Sequence, residues 1–95
     1  MRMHEDTRKE LARLLELVDV RLAGLPAQTY ENRLEYRQAV QALEYDLEQE
    51  GARFGAVSGG NTVSLAGVRA SSTMGTIPAL RNWREGVSKR IGAPS

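Results

Sequence analysis

The stretch FGAVSGGNTVSLAGVRASSTMGT, from Phe54 to Thr76, decides the fold predicted for this chain. It holds five of the nine glycines and no acidic residue, and it separates a helical, acidic first half from a short basic segment. Polar and apolar residues alternate over residues 62–66, beside the cluster Ser58-Gly59-Gly60-Asn61. Because glycine and asparagine adopt the positive φ angles of tight turns, this pattern predicts a β-hairpin over residues 53–69.

A loop and a third helix are predicted after the hairpin. Residues 70–75 are rich in Ser, Thr and Gly and offer little apolar surface to bury, which predicts a loop. Val68-Arg69 either continue the second strand or begin that loop. A helix is expected over residues 76–91, because proline is tolerated in a first helical turn. Its apolar face comprises Leu80, Trp83, Val87 and Ile91.

Two amphipathic helices are predicted before the glycine-rich stretch. Thr7 and Glu10 have the spacing of a capping box, so the first helix is expected over residues 7–24, after a flexible tail of residues 1–6. The second helix is expected over residues 30–50. Apolar residues recur at alternating spacings of four and three in both helices: Leu11, Leu15, Val18 and Leu22 in the first, and Tyr36, Val40, Leu43 and Leu47 in the second.

Each of these apolar repeats forms a seam along one side of its helix. Two seams of matched spacing, joined by a short connection, favour an antiparallel helical hairpin. The predicted fold class is therefore α+β, mainly α, with that helical hairpin followed by a small β-hairpin and a C-terminal helix in a single domain, 1–95. The acidic C-terminal turn of the second helix lies at the negative end of the helix dipole. We expect a basic partner there, which the second half of the chain can provide.

The charges are distributed unevenly along the chain. Residues 1–51 contain seven basic and eleven acidic residues, whereas residues 52–95 contain six basic residues and one acidic residue, Glu85. This polarity suits an anionic partner at the C-terminal end or head-to-tail packing of copies of the chain. The candidates for contact with nucleic acid or a protein partner are Arg53, Arg69, Arg81, Arg84, Lys89 and Arg90. Alternatively, they pair with the acidic end of the second helix, in the same chain or in a neighbouring copy.

Few residues have the chemistry that catalysis requires. His4 is the only histidine and has no second metal ligand beside it. The carboxylates Glu44, Asp46 and Glu48 have a spacing typical of a solvated helix face. The glycine-rich stretch lacks the lysine and the spacing of a phosphate-binding loop. We therefore expect no catalytic residue, no metal, no cofactor and no enzymatic activity. No apolar run approaches the roughly 18–20 residues of a membrane span, so no membrane partner is expected.

From Tyr30 onward, the predicted order is a helix, a glycine-rich β-hairpin and a basic helix. Over residues 29–92 this order, together with the small size, resembles the head-completion proteins of tailed bacteriophages of the lambda W type. The resemblance implies a structural protein of a phage or prophage particle that joins head and tail as an oligomeric ring. It also implies portal or tail components as partners, non-specific contact with DNA, and a location in the virion or the host cytoplasm. The helix over residues 7–24 departs from the simplest form of that family.

Two other functional classes fit the same residues. One is a small nucleic-acid-binding or regulatory protein that uses its basic C-terminal helix, through Arg81, Arg84, Lys89 and Arg90. The other is a coiled-coil module for another chain, which would bind along the seam of the first helix. The sequence leaves open whether that helix packs within one subunit or between subunits.

Overall fold

A computed structural model describes residues 5–92 of the chain, except for the side chain of Val57. The predicted class is confirmed: two helices are followed by antiparallel strands and a C-terminal helix. The elements are α1 (Glu5–Ala23), α2 (Arg33–Glu48), β1 (Arg53–Val57), β2 (Gly60–Leu65), β3 (Val68–Ser72) and α3 (Thr76–Gly92).

Both ends of the helical hairpin differ from the prediction. Glu5 and Asp6, expected in a flexible tail, form the first turn of α1, where acidic residues suit the positive end of the helix dipole. The rest of that predicted tail, residues 1–4 with His4, lies outside the described residues. At the other end, α2 ends at Glu48 and not at the predicted residue 50. Gly51, with a φ of 98°, then turns the chain toward β1.

The connection between α1 and α2 is longer than predicted because Asn32 holds it in a turn. The Asn32 Oδ1 atom accepts hydrogen bonds from the backbone N–H of Thr29 at 2.9 Å and from the Thr29 hydroxyl at 2.6 Å. Its Nδ2 atom donates to the carbonyl oxygen of Ala27 at 2.7 Å. These bonds hold residues 27–32 outside the helix, so α2 begins at Arg33 rather than at residue 30.

The sheet contains three strands, not the two that a single hairpin requires. β2 pairs antiparallel with β1 on one side and with β3 on the other. The predicted loop over residues 70–75 is therefore wrong for residues 70–72, which belong to β3. This strand lies at an edge of the sheet, with Val68 buried and Arg69 and Ser71 exposed. One face open to water accommodates small polar residues that would weaken a buried strand.

Two-residue turns connect the three strands. Ser58-Gly59 joins β1 to β2, and Gly59 has a φ of 87°. Ala66-Gly67 joins β2 to β3, with φ angles of 54° and 77°. Two successive positive φ angles are the sign pattern of a type I′ turn, which matches the twist of antiparallel strands. Ala66 is the one non-glycine residue with positive φ among the described residues.

α3 lies between the sheet and α1 and forms the centre of the core. It packs against β2 and β3 on one side and against α1 on the other. Trp83 is completely buried, and its indole N–H donates to the carbonyl oxygen of Leu65 at 3.2 Å. The buried apolar residues are Leu11, Leu14, Val18, Leu43, Leu47, Ala52, Val63, Leu65, Val68, Ile77, Ala79, Leu80, Trp83 and Val87.

Residues of the predicted seams of α1 and α2 pack into this core. Leu11 and Val18 of α1 are buried with Leu14, while Leu15 and Leu22 are half-buried. In α2, Leu43 and Leu47 are buried, Val40 is half-buried and packs against the core, and Tyr36 is half-buried. α1 therefore packs within the subunit.

Ion pairs show that α1 and α2 run antiparallel. Arg13, in the first half of α1, contacts Glu50 just beyond α2 at 2.8 Å, and Arg21, near the end of α1, contacts Asp46 at 3.3 Å. The basic partner expected at the acidic end of α2 is thus present. It comes from α1, which lies beside α2, and not from the second half of the chain.

Candidate functional site

The candidate functional sites in the described residues are exposed surfaces. Within residues 5–92, no group of three or more His, Asp or Glu side chains could hold a metal ion. None of the helices in that part of the chain combines the length and the apolar character needed to cross a bilayer.

The outward face of α2 carries a second seam, opposite the one that packs into the core. Its members follow the spacings four, three, four and three, and all of them are exposed. Leu34 is 67% exposed and Tyr45 is 63% exposed, although both are large apolar side chains. We call this surface the outer seam; it comprises Leu34, Gln38, Gln41, Tyr45 and Glu48.

Charges of opposite sign flank the two halves of the outer seam. Arg33 and Arg37 lie in the first half of α2, and the guanidinium of Arg33 lies 5.5 Å from the ring centre of exposed Tyr30. Glu44 and Glu48 lie in the second half, one turn apart. Arg37, Glu44 and Glu48 make no ion pair with another described residue.

The electrostatic environment of Glu44 is unfavourable for a carboxylate. Partial burial raises the pKa of Glu44, and the negative charge of Glu48 raises this pKa further. Both carboxylates also lie near the negative end of the α2 dipole. By contrast, hydrogen bonding to Arg13 lowers the pKa of Glu10, and the bonds to Glu10 and Glu50 raise the pKa of Arg13.

A groove with a basic rim runs between the first half of α2 and the start of α3. Its apolar walls include Met74, which is 80% exposed just before α3. Arg81 lines its α3 side, and Arg33 and Arg37 line an adjoining pocket on α2 that shares Tyr36 and Val40 with the groove. The other apolar lining residues are Tyr36, Val40, Ile77 and Pro78.

Arg53 and Arg69 lie in one row across the sheet. Ser64 in β2 is the register partner of Arg53 in β1 and of Arg69 in β3. Partners in register point to the same side of a sheet, and neighbouring residues along a strand point to opposite sides. Since Val63 and Leu65 are buried against α3, the row lies on the open face. Both arginines are exposed, and no acidic residue lies in any of the three strands.

The structure divides the six basic candidates among separate surfaces. Arg84 pairs with Asp19 of α1 at 3.1 Å, and Lys89 pairs with Glu85 at 3.4 Å. Arg81 lines the groove, and Arg90 is exposed near the end of α3. Among the described residues, none of the six basic side chains forms an ion pair with the acidic end of α2. The alternative that they pair with this end in the same chain is therefore wrong.

Reasoning from the sequence missed the outer seam, although its spacing is present there. Gln38 and Gln41 occupy two of its five positions, so the apolar repeat is interrupted. Scanning α2 for a second repeat of four and three, with either polar or apolar members, would have found it.

A scan against protein-family models gave no match for this chain, and neither did searches of curated proteins and of solved structures.

Proposed function

We propose that this chain is a non-enzymatic structural or adaptor protein that works as a homo-oligomer. The outer seam of α2 is the observation that carries the proposal. Exposed large apolar side chains at regular helical spacing are typical of a helix surface that a second helix covers. The seam of α1, which the sequence offered as another oligomer surface, is used inside the subunit.

The assembly that we propose is a phage or prophage particle, in which the chain joins head and tail as a ring. Support comes from the order of elements after Tyr30, which resembles that of the lambda W type of head-completion protein: a helix, antiparallel strands and a basic helix. Two features depart from that pattern, namely α1, which packs on α3, and the third strand. Portal or tail components would be the partners, and the location would be the virion or the host cytoplasm.

Two measurements test this function. Sedimentation equilibrium over a wide concentration range should give a mass larger than that of one chain. Mass spectrometry of purified particles from cultures that produce the protein should find the chain enriched with capsid and tail proteins. A chain that stays monomeric at high concentration contradicts the homo-oligomer, and absence from the particles contradicts the proposed location.

The row of Arg53, Ser64 and Arg69 favours contact with nucleic acid as a second candidate function. An open sheet face with two arginines and no acidic residue suits the phosphate backbone. The surface differs from the C-terminal helix considered first, because Arg84 and Lys89 of that helix are in ion pairs.

Fluorescence anisotropy with labelled duplex DNA at several salt concentrations tests the sheet surface. If both arginines contact phosphates, the double variant R53A/R69A should flatten the slope of log K against log salt by about 2, since each phosphate contact contributes about 0.9. K9A removes an exposed basic residue from α1 and should leave the slope unchanged. Absence of binding at low salt, or equal effects of the two variants, contradicts this function.

A further inference from the structure

We propose that two copies of the chain pair antiparallel along the outer seam of α2, about a twofold axis that passes between Gln38 and Gln41. The pair rests on the homo-oligomeric part of the proposed function and assigns the surface that makes the contact. A twofold contact joins subunits in pairs, so a closed assembly that contains it has an even number of copies.

The spacing of the outer seam is that of a two-stranded coiled coil. Residues repeating at four and three stay on one side of a helix and interlock with the same repeat on a second helix. In an antiparallel pair about this axis, Leu34 lies against Tyr45 of the second copy. Gln38 lies against Gln41 of the second copy, where the two amides can exchange hydrogen bonds. Both large apolar side chains exposed on the seam are thereby covered.

Charge complementarity selects the antiparallel orientation. Arg37 and Glu44 each precede a seam residue by one position, so they lie on the same edge of the seam, two turns apart. Reversing the second helix brings Arg37 against Glu44 of the second copy, and symmetry repeats this pair. Glu35 lies on the opposite edge and faces Ala42. A parallel pair would instead place Arg37 against Ala42 and Glu44 against Gln49, which are uncharged.

The ends of the seam limit the length of the contact. Glu48 would lie opposite residue 31 of the second copy, which precedes α2 and is outside the helix, so Glu48 has no partner in the seam of the second copy. The contact is therefore confined to the turns from Leu34 to Tyr45. Such a short contact predicts an association that dilution reverses and that salt weakens, because ion pairs at an exposed edge are screened.

Charge reversal is the first test. R37E or E44R alone replaces two attractive contacts in each pair with two repulsive ones, so the dissociation constant should rise about tenfold or more. The double variant R37E/E44R restores opposite charges across the axis and should restore the affinity. R69E and E16R make the same charge changes on the sheet and on α1 and should leave the mass unchanged. Sedimentation equilibrium gives the masses, and circular dichroism shows that each variant is folded.

Disulfide trapping is the second test, and it makes covalent a contact that dilution would otherwise reverse. The chain contains no cysteine, so introduced cysteines are the only thiols. Oxidation of L34C/Y45C should give a covalent dimer, because each thiol meets the other position in the second copy. The two positions are about 16 Å apart along one helix, too far for a bond within the chain. L34C alone, Y45C alone and the control V20C/L34C should remain largely monomeric.

The outcomes separate this contact from the proposed function. An oligomer whose mass is unaffected by R37E and E44R overturns the outer-seam contact and leaves the homo-oligomer intact. Efficient cross-linking of L34C alone overturns the antiparallel orientation, and an odd number of subunits overturns the twofold axis. A wild-type chain that is monomeric at every concentration, with no trapped dimer, overturns both the contact and the homo-oligomeric function.

Discussion

The indole N–H of Trp83 in α3 donates a hydrogen bond to the carbonyl oxygen of Leu65, across 3.2 Å. Leu65 is the last residue of β2, directly before the turn into β3. Both side chains lie in the core, where a polar group without a partner is costly. This bond therefore fixes the central helix relative to the end of the sheet while it satisfies a buried donor.

Replacing Trp83 with Phe should destabilise the fold by about 2–4 kcal/mol. The change leaves a cavity, and it removes the donor to the carbonyl oxygen of Leu65. Urea unfolding at neutral pH, followed by circular dichroism, measures the difference. Y30F alters an exposed aromatic residue before α2 and should change the unfolding free energy by less than about 0.5 kcal/mol. Equal stabilities of W83F and the wild type would show that Trp83 does not hold the helix on the sheet.

Replacing Ala66 with Asn should stabilise the fold by about 0.5–1 kcal/mol. Ala66 has a φ of 54°, a conformation that costs an ordinary L-residue about 1–2 kcal/mol and that asparagine tolerates better. Thermal and urea unfolding provide the measurement. A56N places the same side chain in β1, where asparagine is unfavourable, and should be neutral or destabilising. A destabilised A66N variant would contradict a type I′ turn between β2 and β3.

Replacing Glu44 with Gln should raise the unfolding free energy at pH 7. Like charges one helical turn apart cost about 0.2–0.5 kcal/mol, and the substitution removes the repulsion between Glu44 and Glu48. Because the pKa of Glu44 is higher in the folded state than in the unfolded state, ionising this carboxyl lowers stability. The advantage of the variant should therefore shrink as the pH falls and disappear below the unfolded-state pKa of about 4.3.

The pH dependence of E44Q is checked by urea unfolding at pH 7 and pH 3, at one low concentration so that self-association does not contribute. An NMR titration of Glu44 in E48Q provides the control. Removing the neighbouring charge should lower the pKa of Glu44 toward its ordinary value, while the part due to burial remains. If the stability gain of E44Q were larger at pH 3 than at pH 7, the sign of this effect would be wrong.

The helices could be predicted because each has a clear apolar repeat. Leu80, Trp83 and Val87 of α3, for example, follow one another at spacings of three and four, which keep them on one face of a helix but not of a strand, and all three are buried. β3 could not be predicted in the same way. Alanine rarely occupies a turn position with positive φ, so Ala66-Gly67 did not indicate a turn, and Ser71 and Ser72 have weak strand preferences.

The surfaces were harder to predict than the elements, because they depend on contacts between distant parts of the chain. Nothing in the local sequence indicates that Arg84 pairs with Asp19, which lies 65 positions earlier. The arginines on the sheet form a row only because β3 exists and sets Arg69 in register with Ser64. The sequence therefore shows only one group of basic residues, whereas packing places Arg53 and Arg69 on the sheet, Arg81 in the groove and Arg84 beside α1.

Replacing Asn32 with Ala should loosen the connection between α1 and α2. The Asn32 side chain holds Thr29 and Ala27 through three hydrogen bonds, and each such bond contributes about 0.5–1.5 kcal/mol. Because these hydrogen bonds are exposed to water, we expect N32A to lower the free energy of unfolding by about 1–2 kcal/mol in total. Faster amide hydrogen exchange in residues 27–36, measured by NMR, would show where the loss occurs.

The Asn32 turn also sets where α2 begins, and hence the orientation of Leu34, the first residue of the outer seam. If the outer seam joins two copies, N32A should weaken that association as well, since a frayed first turn no longer holds Leu34 in place. Q28A alters an exposed neighbour in the same connection and should affect neither exchange nor association. Unchanged exchange in N32A would contradict a structural role for the Asn32 turn. Faster exchange with unchanged association would mean that the contact between copies does not include the first turn of α2.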